Sequence, residues 1–477
     1  MKKTVAIFIN SEKKEFLISL AKAFEEEYKF NTKLILRDYG VKKFVDKFYP
    51  NRNQDIVLTD INCSVSDVVS ESIIFEEKNK QKISLLMSED RALGQGYLFN
   101  IEKIPDIQRA SWPHEKKLNE FIHIFKAHEI ALDGCDLVIR LWPDKITTII
   151  CKDKGINCFS FVPIKFGSRM FWSDDDYITG SNYINRIQNS KLNISNERSL
   201  EYVIESRGDK VNKEARFSYS DTISRAIKLI WTENKKWIRG KQKRNSYHYL
   251  GWLPSIFRRI IHYNFLKSIS LTPDQVSQYK LCFFPLHLEP EVALLNFSPE
   301  FNNSMDAISM ISKSLPVDTL LVVKEQVLCF GVRSKWYYQQ INKIGNVVWA
   351  DPDTYSWDWI QKSKIIATIT GTVGIEAVYM QKPVLSFGSH QIINHLPTVF
   401  FVDSYIKVKN AIDQIYSDAL TDEAFEKSRL ILQESQIESS INFPEIDNEL
   451  FKNQLNVGIA IRALSHLFSE YPYLREL

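Results

Sequence analysis

Apolar residues along this chain follow two alternating spacings. Residues 4–9 form a nearly continuous apolar run, which is typical of a strand buried on both faces of a parallel sheet. Apolar residues then recur at helical spacing from position 16 to position 24, and residues 32–36 form a second apolar run. A strand, a helix and a strand within about thirty residues predict a βαβ unit.

The same alternation continues in both halves of the chain. Further strands are predicted at residues 55–58, 137–141, 158–162, 280–284, 319–323, 346–349, 365–369 and 383–387. Helices are predicted at residues 121–131, 305–315, 372–380 and 453–469, the last of them amphipathic. The pattern predicts an α/β fold with two Rossmann-like domains, at residues 1–219 and 273–450, and a C-terminal helix within residues 451–477 that packs back.

Residues 220–272 interrupt the alternation with helical spacing and basic charge. From Arg225 to Lys267 the sequence carries eleven Lys and Arg residues and one acid, Glu233, with Trp and Tyr residues between them. Two interpretations are open. The stretch is either a membrane-surface patch, in which basic residues attract anionic headgroups, or a helical bridge whose aromatic residues are core. We favour the bridge, with which partial contact to the inner membrane surface is compatible.

Composition and charge exclude several classes of protein. The 477 residues include 61 basic and 58 acidic ones, so the formal net charge is only +3, which argues against a nucleic-acid partner. The six cysteines form no CxxC pair, which argues against zinc or a disulfide framework. The N-terminus lacks the long apolar core of a signal peptide, so we expect a cytoplasmic protein.

The sharpest candidate for chemistry follows the predicted strand at residues 365–369. Thr370, Gly371 and Thr372 lead directly into a helix, and Glu376 lies about one turn further along. Glycine lets a ligand approach the backbone, amide groups at a helix start favour phosphate, and a carboxylate one turn further can reach a ribose diol. The alternative is an ordinary strand–helix turn with Thr372 as its N-cap.

Two further strand ends carry residues of the kind that bind ligands. His287 and Glu289 follow the first strand of the second half, where an imidazole can contact phosphate and a carboxylate can act as a base or orient an acceptor hydroxyl. Lys324 and Glu325 end the next strand and are candidates for phosphate and sugar contacts. The alternatives are a proline-stiffened turn and a surface ion pair. Because open α/β sheets bind ligands beyond the carboxyl ends of their strands, we expect these ends to converge on one cleft.

The first half carries weaker candidates. Asp90 and Arg91 lie in a polar loop with two glycines, and Arg169 follows a predicted strand. We expect them on the acceptor side of the cleft, with plain loops as the alternative. Residues 174–176 are three consecutive aspartates that look like a cation site, but no second ligand group matches them. A solvated acidic loop is the preferred interpretation, and no metal is assigned.

Four segments together resemble the bacterial capsular polysaccharide biosynthesis proteins, GT-B glycosyltransferases related to the capsule Kdo transferases. The matching segments are residues 90–97, 285–291, 323–325 and 370–384. The resemblance is strongest from Lys280 to Gly388. Where such proteins often read Lys-Glu-His-Pro, this chain has Gln326 and Val327 in place of His-Pro.

The resemblance implies a GT-B fold, in which the two parallel sheets face each other across a cleft. It implies transfer of a sugar from a nucleotide-activated donor, a CMP- or UDP-sugar, without a metal or other cofactor. The acceptor would be a surface or capsular polysaccharide or a lipid-linked glycan. His287 and Glu289 would then lie at the reacting centre, and the donor would bind to Lys324, Glu325 and the segment from Thr370 to Glu376.

Two other functions stay open at this point. One is a non-hydrolysing UDP-sugar 2-epimerase, a class that resembles this chain in its fold and in a glycine–glutamate helix start. The other is a catalytically silent subunit of a capsule-assembly complex. An epimerase would consume a UDP-sugar without an acceptor, and a silent subunit would bind no nucleotide.

Overall fold

The chain forms two compact units. The computed structural model describes residues 2–10, 12–50, 52, 54–63, 65–90, 93, 112–190, 217–238, 249–288, 292–417, 419–447, 451 and 454–476. The first unit comprises Met1–Leu86, Pro113–Ser190 and Gln433–Leu477, and the second comprises Met87–Trp112 and Lys191–Leu432. The chain therefore returns to the first unit at Gln433, earlier than the predicted domain boundary at residue 450.

The first unit is built on a sheet of seven described strands. These are β1 (Thr4–Ile9), β2 (Asn31–Leu36), β3 (Ile56–Val57), β4 (Leu137–Arg140), β5 (Asn157–Pro163), β6 (Arg169–Ser173) and β14 (Ile441–Asn442). Their order is β14-β6-β5-β4-β1-β2-β3. Strands β1 to β5 are parallel, whereas β6 is antiparallel to both β5 and β14.

The second unit is built on a second sheet of seven described strands, and all of its described pairs are parallel. The strands are β7 (Ser270–Leu271), β8 (Lys280–Pro285), β9 (Thr319–Lys324), β10 (Val347–Ala350), β11 (Ile365–Thr368), β12 (Val384–Ser386) and β13 (Val399–Phe401). Their order is β13-β12-β11-β8-β9-β10-β7. Strand β8 is central and pairs with β11 on one side and β9 on the other.

Helices pack around both sheets. The helices of the first part of the chain are α1 (Lys14–Glu26), α2 (Tyr39–Phe48), α3 (Val68–Asn79), α4 (Ile83–Glu89), α5 (His114–Ala131), α6 (Lys145–Lys154) and α7 (Ser181–Asn189). The later helices are α8 (Tyr219–Ile238), α9 (Tyr249–Ile269), α10 (Val292–Phe297), α11 (Ser304–Ser314), α12 (Lys335–Asn342), α13 (Ser356–Lys362), α14 (Val373–Tyr379), α15 (Tyr405–Tyr416), α16 (Asp422–Glu438) and α17 (Val457–Glu470). Among the described residues, no helix is both long and apolar enough to cross a bilayer.

The C-terminal helix α17 completes the core of the first unit. Asn456 caps it by accepting from the backbone amide of Ile459 at 3.1 Å, and the amide of Asn456 donates to the Ser19 hydroxyl of α1 at 2.9 Å. Phe468 of α17 lies edge-on to Phe24 of α1, with ring centroids 6.4 Å apart. The prediction that the last helix packs back is confirmed.

The structure confirms the predicted α/β class, with two largely parallel sheets and helices around them. The strand spans agree closely, because buried parallel strands are near-continuous apolar runs. The predicted helical stretch at residues 220–272 contains α8 and α9. Trp231 and Phe257 of these helices are exposed, so the prediction that its aromatic residues are core is wrong for these two. The GT-B arrangement of the two sheets stays a prediction.

Candidate functional site

Three strand ends of the second sheet lie next to one another. In the register of the sheet, Pro285 at the end of β8 pairs with Lys324 at the end of β9. On its other side, β8 pairs with β11. His287, Lys324 and Thr370, which sit at or just beyond these ends, therefore lie at one edge of the sheet. This is the edge at which open α/β sheets bind their ligands.

The His287 side chain anchors the turn that follows β11. Its Nε2 atom accepts hydrogen bonds from the backbone amides of Ile369 and Thr370, both at 3.2 Å, and the residue is buried. Nε2 is therefore unprotonated in this arrangement and is directed at the protein backbone. These contacts give His287 a positioning role at this turn, and its catalytic role stays a prediction. Glu289, its predicted partner, lies outside the described residues.

A buried ion pair fixes His287 from the other side. The Arg333 guanidinium pairs with the Glu325 carboxylate and donates to the backbone carbonyl of His287. Burial raises the pKa of the Glu325 carboxyl, and the charge of Arg333 opposes that shift. The Glu325 and Arg333 side chains are 1% and 0% exposed. The carboxylate of Glu325 is thus directed into the interior, and its donor contact stays a prediction.

Lys324 is a buried cation, and no carboxylate among the described residues is in direct contact with its ammonium group. It is 7% exposed, and its Nζ atom donates to the backbone carbonyl of Pro352 at 3.3 Å. Asp351 and Asp353 instead pair with Lys267, each at 2.7 Å. Burial lowers the pKa of Lys324 to about 8, against the opposing charges of the two aspartates. A desolvated ammonium group of this kind interacts strongly with an incoming anion.

The turn after β11 is tightly packed and contains a buried hydroxyl. Thr370 is 3% exposed, and its Oγ1 atom has no hydrogen-bond partner among the described residues. The amide of Gly371 donates to the Thr368 hydroxyl at 2.9 Å. A Cβ atom at Gly371 would lie 2.9 Å from Thr368 Oγ1 and 3.1 Å from His287 Cε1, so the close approach requires glycine. Thr372 is exposed and Glu376 is half-buried.

Two residues that support this site are absent from the sequence prediction. Arg333 lies outside every predicted strand end. Gly388 follows β12, and a Cβ atom there would lie 2.4 Å from the carbonyl oxygen of Ile369. Its amide donates to that same oxygen at 3.0 Å. The position of Gly388 just after a predicted strand is the one feature of the sequence that indicates a role for it. No feature of the sequence indicates a role for Arg333.

The candidates of the first half are engaged in local structure where they are described. Asp90 accepts from the amide of Leu93 at 2.7 Å, and Arg91 lies outside the described residues. Arg169 donates from Nε to the Ser440 hydroxyl and from Nη2 to the Ile437 carbonyl, both at 2.8 Å. Burial lowers the pKa of Arg169. These contacts give Arg169 a structural role, and an acceptor contact for Asp90 or Arg169 stays a prediction.

The aspartates at residues 174–176 form a hydrogen-bonded turn. Asp175 Oδ1 accepts from the backbone amides of Tyr177 at 2.9 Å and Thr179 at 3.1 Å. Asp176 lies 3.3 Å from Nη2 of the buried Arg140. The prediction of a solvated loop is therefore wrong for Asp175 and Asp176. In the part of the chain that the structure describes, no group of three or more His, Cys, Asp and Glu residues is placed to hold a metal.

Comparison with known proteins gives remote similarity only. No protein-family model matches the sequence, and no curated protein matches it. A co-structure of S. aureus MnaA with UDP is 14% identical, covers 100% of this chain and 98% of that chain, and gives a TM-score of 0.28. A glycosyltransferase from Rickettsia africae is 11% identical over 98% of both chains, with a TM-score of 0.29.

A third structure, Thermosulfurimonas dismutans KpsC, a beta Kdo 2,7 transferase, is 12% identical. It covers 72% of this chain and 89% of that chain, with a TM-score of 0.32. Similarity at these TM-scores supports no further conclusion about the fold or the reaction.

Proposed function

We propose that this protein is a glycosyltransferase that binds a nucleotide-activated sugar at the carboxyl edge of its second sheet. It would transfer the sugar to a surface or capsular polysaccharide or to a lipid-linked acceptor. The observation that carries the proposal is the desolvated Lys324 ammonium, which lies at the same sheet edge as the turn anchored by His287. A protein keeps such a cation buried at a free energy cost, and cations of this kind concentrate at functional sites.

The donor phosphate would sit between Lys324 and the turn after β11. The ammonium supplies the positive charge, and the buried Thr370 hydroxyl and the exposed Thr372 hydroxyl supply hydrogen-bond donors. Gly371 lets the phosphate approach the backbone. In this proposal Glu376 accepts hydrogen bonds from the ribose hydroxyls of a CMP- or UDP-sugar, and Glu325 takes no part in donor binding.

The reaction breaks the bond between the anomeric carbon and the phosphate oxygen of the donor and forms a bond to an acceptor hydroxyl oxygen. The acceptor loses its proton to a base, for which Glu289 is the candidate from the sequence. The leaving nucleotide gains negative charge, and Lys324 stabilises that charge in a site of low polarity. Positioning of donor and acceptor supplies the remainder of the rate acceleration.

Calorimetric titration with CMP, UDP and CDP tests the donor site. We expect one of them to bind to the wild type, and Thr370→Val and Glu376→Gln to weaken that binding about tenfold each, or about 1.4 kcal/mol. Asp358→Asn on α13, in the same unit and outside the sheet edge described above, is the control and should leave the affinity unchanged. Absence of binding to all three nucleotides would contradict the proposal.

The nucleotide that binds then selects the donors for an activity screen. We expect release of that nucleotide from its sugar donor only when a glycan or glycolipid acceptor is present. Conversion of a UDP-sugar into its epimer without any acceptor would instead identify an epimerase and would refute the transferase proposal.

A further inference from the structure

Helices α8 and α9 form an antiparallel hairpin whose outward side is apolar. The Tyr219 hydroxyl at the start of α8 donates to Asn264 Oδ1 near the end of α9 at 2.5 Å. Among the side chains that the structure describes on the two helices, six of Ile, Phe and Trp are exposed, with exposed fractions from 41% to 64%. They are Ile223, Ile227, Ile230 and Trp231 of α8 and Phe257 and Ile261 of α9. We call these six side chains the apolar face.

The apolar face reverses the usual orientation of an amphipathic helix. Surface helices of globular proteins turn their apolar stripe to the core and their polar side to water. On α8 the four exposed apolar residues recur at positions i, i+4, i+7 and i+8, which places them on one side of the helix. Thr222, by contrast, is 3% exposed. Its hydroxyl is satisfied by the carbonyl of Ser218 at 2.7 Å. The polar residue is thus buried and the apolar residues meet water.

Basic residues accompany the apolar face. Arg225 and Lys228 are exposed on α8 among the isoleucines. Arg258 and Arg259 of α9 are half-buried and face the protein instead, because Arg258 Nε donates to the Gly331 carbonyl at 3.4 Å and Arg259 lies 5.6 Å from the Phe217 ring. Of the side chains that the structure describes on these two helices, Asp221 is the one acid. Clustered cations beside an apolar stripe are complementary to a surface that has anionic groups on its outside and an apolar interior beneath them. Anionic phospholipid has that chemistry, whereas a second copy of this basic surface would repel it.

We propose that the apolar face docks on an anionic lipid bilayer, with α8 lying in the plane of the headgroups. The 20 residues of α8 span about 30 Å along that plane. Trp231, 64% exposed, is suited to the boundary between headgroups and acyl chains. The docking is peripheral, and it would hold the enzyme at the surface that contains lipid-linked molecules. It does not depend on the proposed donor site.

Co-sedimentation of the full chain with vesicles tests the docking. We expect binding to phosphatidylcholine vesicles that contain phosphatidylglycerol, little binding to phosphatidylcholine alone, and weaker binding as salt is added. The double variant I227S/W231S should bind anionic vesicles at least about tenfold more weakly. Ile406→Ser on α15 is the matched control, because Ile406 is 60% exposed against 63% for Ile227. It should bind as the wild type does.

Three outcomes would overturn the proposal. They are a wild type that fails to sediment with anionic vesicles, an Ile406→Ser variant that loses as much binding as the double variant, and light scattering that shows a dimer dissociated by I227S/W231S. The replaced side chains are exposed, so the melting temperature of I227S/W231S should stay within a few degrees of the wild type. Nucleotide titration of the double variant separates the two proposals, since lost vesicle binding with unchanged nucleotide affinity supports docking alone.

Discussion

Replacing Lys324 by methionine should stabilise the protein and impair nucleotide binding. The pKa of Lys324 is lowered from 10.5 to about 8 because burial penalises the charged form. A shift of that size corresponds to about 3 kcal/mol of free energy that the folded protein loses by keeping the ammonium charged at pH 7. Methionine has a similar unbranched shape and no charge, so Lys324→Met should raise the free energy of unfolding by up to about 3 kcal/mol.

Because the pKa of Lys324 is lowered in the folded state, its effect on the free energy of unfolding depends on pH. In the folded state Lys324 binds a proton less readily than in the unfolded state, so its destabilising effect is complete below about pH 8 and disappears as the pH rises through 10.5. The stability gained in Lys324→Met should therefore be largest at pH 7 and shrink toward pH 10.5. Nucleotide affinity of the wild type should fall above about pH 8, as the ammonium becomes neutral, and the variant should not show this fall.

Urea unfolding at pH 7 and at pH 10, with nucleotide titration at each pH, measures both quantities. Lys267→Met is the comparison variant, because Lys267 forms direct ion pairs with Asp351 and Asp353 and should lose stability when replaced. A Lys324→Met variant that is less stable than the wild type and binds nucleotide equally well would refute the reasoning. In that case Lys324 would be a structural cation.

Further substitutions probe the support of the same site. Arg333→Met should lower the free energy of unfolding, measured in urea, by about 3–5 kcal/mol, because it leaves the Glu325 charge buried and unpaired. Adding Glu325→Leu should restore most of the lost stability. If the double variant shows no recovery, the ion-pair argument is contradicted. His287→Ala should cost about 1–3 kcal/mol, since two buried amides lose their acceptor. Unchanged melting would argue against its anchoring role. Gly371→Ala should weaken nucleotide affinity, whereas Gly345→Ala, with nothing within 4 Å of the added methyl, should not. Equal effects of the two would remove the tight-turn argument.

Much of the second sheet was predictable because each strand there is buried on both faces. The runs at residues 280–284, 319–323 and 365–369 are continuous and apolar, and the observed strands match them within two residues at each end. Strand ends in a parallel sheet share one edge, so the grouping of His287, Lys324 and Thr370 followed from the pattern. Strands β7 and β14 have two residues each, too few to show a period.

The chemistry of the individual side chains was not predictable in the same way. Nothing in the local sequence distinguishes a glutamate that faces a ligand from one that faces a buried arginine, and Arg333 lies eight residues beyond Glu325. The donor or acceptor role of His287 likewise depends on which backbone amides reach its ring. Those contacts join segments more than eighty residues apart, and periodicity carries no information about them.

The first unit contains both early and late segments of the chain, which has a consequence for its folding during synthesis. Helix α17 packs on α1, yet the ribosome makes it after the entire second unit. Until then Phe24 and its neighbours lack the cover that Phe468 provides, and the emerging N-terminal half exposes part of its apolar interior. The second unit, made of Met87–Trp112 and Lys191–Leu432, is complete at residue 432 and can fold first. We therefore expect chaperones to bind the N-terminal half of the nascent chain.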